Sequence, residues 1–466
     1  MSSAENHKIE EAPVTTNRKQ PFPRGFLDTI PTGWADRPES LPAARSQASF
    51  AAARRAKLSA AFPGRRIVIE AGALKQRSND TDYPFRAHSA FAHLTGWAAD
   101  SEPDSVLVLD PTADGHDATL YFRERADRTT TEFYADATVG EFWIGPRPSL
   151  AGVSADLAVA TDHLTSFRPG DEDMTLADAD LERFVSELRL IKDEYEIAEM
   201  RRAVEITARG FDDIIDALPD AAEHARGERV VEGVFHRRAR EDGNGEGYDT
   251  IAASGPHACY LHWTRNDGAV IPGDLILVDA GVEADSLYTA DITRTLPVDG
   301  AFTDVQRRVY DTVLEAADAA FAAARPGTRF REVHEAAMAV IAKRTAEWGV
   351  LPVTADEALD ADAGGQHRRY MVHGTSHHLG IDVHDCAQAR REMYYDGVLE
   401  TGMVFTIEPG LYFQIDDLTV PEELRGIGVR IEDDILMTED GPVNLSADIP
   451  RTADDVEAWI ARDRNA

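Results

Sequence analysis

Residues 275–295 read "LILVDAGVEADSLYTADITRT", two strand-like runs that each carry an aspartate. In the first, an apolar run precedes Asp279, which predicts a buried strand with a carboxylate near its end. A carboxylate taken into a buried position is costly unless it is paired or coordinated. Asp291 opens the second run twelve residues later. A strand, a short loop and a returning strand form a hairpin that sets the two carboxylates side by side. Taken singly, each aspartate reads more simply as a turn or strand-end residue.

Two more acids sit in similar settings. In "GMVFTIEPG" (402–410), Glu408 follows the alternating Val404 and Thr406 and is stopped by Pro409. In "GIGVRIEDD" (426–434), strand alternation puts Ile427, Val429 and Ile431 on one face and Gly428, Arg430 and Glu432 on the other. A surface salt-bridge face is the simpler reading, but the flanking glycines leave the backbone bare, as expected where something packs closely. Four acids brought together would repel, and most could not stay ionised without cations. Two divalent ions would neutralise them, and one imidazole could complete the ligand set.

The imidazoles are concentrated in "VHGTSHHLGIDVHD" (372–385), which holds His373, His377, His378 and His384 among fifteen histidines in the chain. His373 and His377 are four apart, the spacing of a helical zinc pair, but Gly374 rather than Glu follows the first. Gly374 and Gly380 also argue against a continuous helix, so the zincin reading fails. A lone histidine is usually structural; the clustering weakens that reading without selecting a ligand.

The rest of the chain bounds the possibilities. Its 466 residues predict two to four domains. Eighty-three acidic residues against 48 basic ones give a net charge of −35, which disfavours nucleic acid and anionic membranes as partners. Two cysteines, Cys259 and Cys386, exclude a disulfide framework and fit a reducing compartment. No window reaches the length of apolar sequence needed for a membrane helix, and residues 1–25 lack an apolar signal core, so a cytoplasmic protein is expected.

The first 35 residues read as a loose arm and the alanine-rich 40–62 as a helix. The runs "RIVIEAG", "SVLVLD" and "ATLYFRER" read as strands. They predict an α/β N-terminal domain over residues 40–175, ending in an acidic linker at 165–180. Residues 180–215 read as helices, with Leu188, Ile191, Ile197 and Met200 near helical spacing. Thr303 and Gln306 form a capping-box pattern ahead of Val305, Val309, Val313 and Ala317 on one face. With the strands already described, this predicts an α+β domain over residues 176–455.

In chain order, Asp279, Asp291, His377, Glu408 and Glu432 resemble the five-ligand signature of the pita-bread metallopeptidases. The strings "LHWTRND" (261–267), "HGTSHHLGIDVHD", "TIEPGLY" and "GIGVRIEDD" are similar to those of the aminopeptidase P, or Xaa-Pro aminopeptidase, branch. "RSNDTDYPFRAHSAFAHLTG" (77–96) resembles its N-terminal domain, and "LRLIKDEYEIAEMRRA" (188–203) the helix that opens its catalytic domain.

The resemblance implies an α+β pita-bread (creatinase/aminopeptidase-like) catalytic domain holding two divalent ions, typically Mn2+. Asp291 and Glu432 would bridge both ions, Asp279 would complete one, and His377 with Glu408 the other. A hydroxide held between ions about 3.5–4 Å apart would be the nucleophile, with Glu408 accepting the proton of its parent water. His384 would act at the scissile carbonyl. His373 and His262 would line the proline side, and Arg430 and Tyr412 would frame the proline pocket and the metal site. His378 matches no role and reads as packing or solvent-facing.

The substrates implied are peptides with proline at position two, hydrolysed by a homodimer or homotetramer. A prolidase, confined to dipeptides, is the alternative; a metal-free relative is disfavoured because all five ligands are present. Two departures stand out. The Asp279–Asp291 spacing is one residue longer than usual, which a bulge could absorb. Ala92 occupies a position where these enzymes often carry a tryptophan that reaches a neighbouring subunit.

Overall fold

The computed structural model of the protein describes residues 22–37, 40–79 and 81–463. The portion of the expected N-terminal arm on residues 1–21 lies outside the described residues. Within the described portion the arm is not loose. Residues Arg24–Thr29 form a short helix whose Phe26 and Leu27, with the following Ile30, pack on Phe133 and Tyr134. Trp34 meets the Phe133 ring edge-on at 5.5 Å. Burial of aromatic surface outweighs the polar composition that suggested disorder.

The N-terminal half is built on a four-stranded sheet with Val106–Thr112 between Ile67–Glu70 and Gly115–Phe122, both antiparallel to it. Ala160–His163 joins the edge in parallel, after the helix Leu150–Leu157. The alanine-rich helix spans Gln47–Ala61, starting later than its composition suggests, with Pro42, which lacks a backbone N–H, in the irregular lead before it. Leu58, Phe91 and Leu94 from the helices pack on Ile67, Ile69, Leu107 and Phe122 of the sheet. The acidic stretch expected as a linker is partly docked on this sheet. Met174 forms a parallel bridge with Ile67 at the edge, the Val68 N–H donating to Met174 O and the Met174 N–H to Arg66 O, both at 2.9 Å, and Arg66 grips Asp173 at 2.6 Å.

The C-terminal half is α+β. One sheet runs in the order Ile292–Pro297, Leu275–Ala280, Ile251–Ser254, all antiparallel. A second joins Val404–Ile407, Asp433–Thr438 and Gly441–Asn444, and a two-stranded ladder pairs Gly410–Tyr412 with Gly428–Arg430. The Glu432 N–H donates to Thr293 O at 3.1 Å, tying the sheets together where the acids lie. The helices Glu194–Glu223, Gly227–Asp242, Asp304–Ala323 and Phe330–Glu347 cover the outside.

The Thr303–Gln306 capping box forms, and Val309, Val313 and Ala317 are buried. The helices expected over residues 180–215 form, but Leu188, Ile191, Ile197 and Met200 do not share one helix. A break separates Ala179–Glu187 from Glu194–Glu223, where Asp193 and Glu196 form their own capping box, and Ile191 is left 42% exposed in the break. Local capping chemistry overrides apolar spacing there.

Candidate metal centre

Strand pairing places the first two carboxylates. Thr293 lies opposite Asp279, so Asp291 stands two residues along the partner strand on the same face. The register runs unbroken from Pro297 opposite Leu275 to Ile292 opposite Ala280 and continues in the Glu283–Thr289 bridge. The paired part of the ladder therefore carries no bulge. The loop closes at its tip, where Leu287 adopts φ +70° with its side chain buried and its N–H bonded to Ala284 O at 2.8 Å. Gly281 is required beside Asp291, since a Cβ there would lie 1.7 Å from Ala290 O.

Glu408 leaves the end of Val404–Ile407, and its N–H bonds Thr375 O at 2.8 Å. The Thr406 N–H bonds His377 O at 2.9 Å, and His378 bridges Phe405, so the histidine-rich stretch lies extended along this strand. That arrangement sets His377 beside Glu408. Arg430, at the end of the third ladder, reaches Asp279, and Glu432, two residues past it, meets Thr293 on the strand that carries on from Asp291. The neighbouring Gly428 is pressed against Ala258, whose carbonyl lies 2.5 Å from the position of a Cβ.

All five candidate ligands line one cavity of about 690 Å³, together with His262, His373, His384 and Arg430. Asp291, His377 and Glu432 each present a ligand atom within 4.8 Å of the others. His377 Nε2 is 3.3 Å from Asp291 and 3.6 Å from Glu408. Its Nδ1 faces the His378 carbonyl at 3.2 Å, which favours Nδ1–H and leaves Nε2 as the ligand atom.

Arg430 is shared among the parts. Its Nη2 donates to Asp279 at 2.5 Å, Nη1 to the Tyr412 hydroxyl at 3.1 Å and Nε to Thr293 Oγ1 at 3.0 Å. Thr293 Oγ1 in turn donates to Glu432 at 2.7 Å. Tyr412 stands behind the cavity wall, its hydroxyl 2.8 Å from His373 Nε2. His384 meets the His377 ring edge-on at 4.4 Å. His378 packs, stacking on Phe330 at 4.6 Å with Tyr394 at its edge.

The charges do not balance within the chain. Burial pushes the Glu408 carboxyl up to about 7, and Asp291 and Asp279 push the same way against His377 and Arg430. Burial, then Asp291, Glu408 and Asp279, hold Glu432 well above the usual carboxylate range. Asp279 is also raised by burial, despite Arg430. Burial opposes the charged form of His377, yet Asp291 and Glu408 bring it up to about 9. Three buried acids and the half-buried Glu408 thus face Arg430 and one imidazole, an excess of negative charge that two divalent cations would fit. The donor set of carboxylate oxygens plus one imidazole nitrogen suits such ions. His373, by contrast, is lowered to about 3 by burial and Arg430, and remains neutral.

Tyr248 is the residue that sequence reasoning missed. Its hydroxyl lies 2.7 Å from Asp279 and 2.5 Å from Asp291, and burial beside those acids keeps it protonated. It sits in the polar turn "GNGEGYDT" (243–250), which carries no strand or helix pattern. The available signal was Gly247, whose Cβ would lie 2.1 Å from the Thr289 side chain of the hairpin tip.

The model of Metallopeptidase family M24 matches residues 198–439, and that of the Aminopeptidase P, N-terminal domain matches residues 51–168. Xaa-Pro aminopeptidase 1 of Streptomyces coelicolor is 49% identical over 98% of each chain. The Xaa-Pro aminopeptidase of Escherichia coli is 35% identical over 90% of this chain and 99% of its own. Among solved structures, the low-pH form of Escherichia coli aminopeptidase P superposes with a TM-score of 0.77 at 31% identity, covering 91% of this chain and 100% of that one. A Pseudomonas aeruginosa aminopeptidase gives 0.78 at 29% identity over 91% and 100%. With the family model spanning more than half of its length and near full-length relatives of this similarity, the chain belongs to metallopeptidase family M24.

Proposed function

We propose that this chain is a metalloaminopeptidase that hydrolyses the bond between the first residue of a peptide and a proline at position two. The observation that carries the reading is the convergence of Asp279, Asp291, His377, Glu408 and Glu432 on one cavity whose remaining wall holds His262, His373, His384 and Arg430. Asp291 and Glu432 would each hold both of two cations, Asp279 one of them, and His377 with Glu408 the other. When bound, such ions polarise a carbonyl and make water a nucleophile near neutral pH. Manganese is the ion we favour, because the set is mostly hard carboxylate oxygen. The Escherichia coli relative has also been solved with zinc substituted, so that enzyme's site admits more than one metal.

The chain's own groups supply the remainder. Glu408, on the His377 side of the site, would accept a proton from the attacking water. His384 is kept neutral, first by burial and then by His377, and can donate from its ring toward charge developing on the scissile carbonyl. His373 is pinned at both nitrogens, Nδ1 on Gly374 O at 2.6 Å and Nε2 on Tyr412, so its ring is a fixed wall for the proline side. His262 would face the same side. Arg430 holds Asp279 and Tyr412 in one frame and so links the metal ligands to that wall.

Proline explains the need for such a wall. Its peptide bond is a tertiary amide without an N–H, and the ring fixes φ. Recognition must then come from ring contacts and from the free amino terminus. A net charge of −35 favours approach of that cationic terminus and of the metals.

We further place the domain boundary near residues 175–176, between an N-terminal domain from 40 and a catalytic domain to 455. We also place the protein in the cytoplasm as a homodimer or homotetramer. Its two cysteines are buried and unpaired, and no helix among the described residues is long and apolar enough to cross a membrane.

The reading is tested with metal-loaded protein on three substrates: an Xaa-Pro dipeptide, a tripeptide with proline second, and the same tripeptide with alanine second. Cleavage of the proline tripeptide with little action on the alanine one is expected. Activity confined to the dipeptide would replace the proposal with a prolidase.

A further inference from the structure

His384 stands on the loop between Gly380 and Cys386, and its placement depends on the backbone that carries it. The two aspartates flanking it, Asp382 and Asp385, both point away from the cavity into a cationic seam between the halves of the chain. Asp385 is buried and lies 2.9 Å from Arg189 and 3.3 Å from Lys192. Its N–H also bonds the His378 carbonyl at 2.9 Å, and Gly380 is needed beneath it, since a Cβ there would lie 2.3 Å from Asp385 Oδ2.

Asp382 is held from the other side. Ser89, on the N-terminal-domain helix Ser89–Thr95, donates its hydroxyl to Asp382 Oδ1 at 2.5 Å. Arg86, just before that helix, donates to Ile381 O at 2.7 Å and to Glu283 at 2.6 Å. Arg86 therefore ties the His384 loop to the hairpin that carries Asp279 and Asp291. The Thr289 N–H, on the same hairpin, bonds Gly380 O at 2.9 Å.

We propose that Arg86 and Ser89 of the N-terminal domain are positioning residues for catalysis: by gripping Ile381 and Asp382 they set the distance of His384 from the metal ligands. The inference rests on the role given to His384 above. Its physical basis is that a charged, partly buried clamp on a loop costs little to hold once formed, whereas displacement of a catalytic group by about 1 Å costs roughly a hundredfold in rate. Both residues lie far from the metal ligands in sequence and belong to a domain that contributes no residue to the cavity lining.

The test is a double-mutant cycle on full-length, metal-loaded protein. Arg86→Ala, Ser89→Ala and Arg86→Lys are each made in the wild-type and His384→Ala backgrounds. Bound metal, thermal unfolding, kcat and KM are measured on a tripeptide with proline second.

Arg86→Ala is expected to lower kcat by roughly ten- to a hundredfold with bound metal unchanged and KM within about twofold. Arg86→Lys should recover part of the loss. Ser89→Ala, which removes one hydroxyl and leaves the ion pairs, should show a smaller fall in the same direction and keeps the test open if Arg86→Ala does not fold. In the His384→Ala background, none of the three substitutions should lower kcat further. Full additivity there, or folded single variants with unchanged kcat, would overturn the inference. Wild-type kcat in His384→Ala alone would instead remove the role assigned to His384.

Discussion

Burial pushes the Glu408 carboxyl up to about 7 and Glu432 above its usual range, so in the metal-free protein these groups hold protons near neutrality. Each is a group whose folded value is raised: it is protonated below that value and must lose its proton to bind a cation. Adding Mn2+ to metal-free protein at pH 6.5 in weak buffer should therefore release protons, and affinity should fall as the pH is lowered through 7. Metal uptake without proton release, read with a pH indicator, would contradict the site electrostatics. Glu408→Ala should both weaken metal binding and reduce kcat by at least about a hundredfold, because one side chain is ligand and proton acceptor. His373→Ala should retain both metals by elemental analysis while impairing turnover or proline binding. Loss of metal there would move His373 into the ligand set.

At the scale of elements, the hairpin 275–297 does the placing. Its period of two puts Asp279 and Asp291 on one face, and their side-by-side placement was legible from two strand-like runs, "LILVDAG" and "DITRT", joined by a short loop. The acids on 404–408 and 428–432 were legible from strand alternation. What was not legible was the shape of the hairpin's tip, because a single φ of +70° at Leu287 leaves no mark in a pattern of apolar and polar residues. Tyr248 was hidden likewise, since a polar turn reveals neither its path nor its neighbours. The arm and the acidic stretch misled because composition reports solvent affinity, not whether a few aromatic or backbone contacts can dock a segment. Gly281→Ala tests the hairpin directly. A Cβ 1.7 Å from the Ala290 carbonyl forces the strands apart, so the variant should lose more than about 2 kcal/mol of stability in chemical denaturation and bind metal poorly. A stable variant with normal metal content would show that the hairpin tolerates separation.

For the whole molecule, the unbalanced acids make metal binding and stability one equilibrium. A cation that binds only the folded state adds about 2.7 kcal/mol at a hundredfold excess over its Kd. Chelation should therefore lower Tm by several degrees, and calorimetry should recover the difference when Mn2+ is restored; an unchanged Tm would argue that the acids are not a metal site. The seam between the halves carries the opposite sign. Burial disfavours the charged form of Asp385, but Arg189 and Lys192 outweigh it and hold the carboxyl below its ordinary range. A depressed carboxylate contributes stability above its unfolded value of about 4, lost as pH falls through the folded value. Hydrogen exchange across residues 379–386 should thus quicken below about pH 4.

The central claim, that these five residues serve a cut before proline at position two, is tested most directly by mass spectrometry of one nonapeptide carrying proline second. Incubated with the Mn2+-loaded protein, it should yield the free first residue and an octapeptide beginning with proline, and nothing when the protein is Glu408→Ala. Release of a dipeptide, internal cleavage, or an intact nonapeptide beside a hydrolysed Xaa-Pro dipeptide would contradict it.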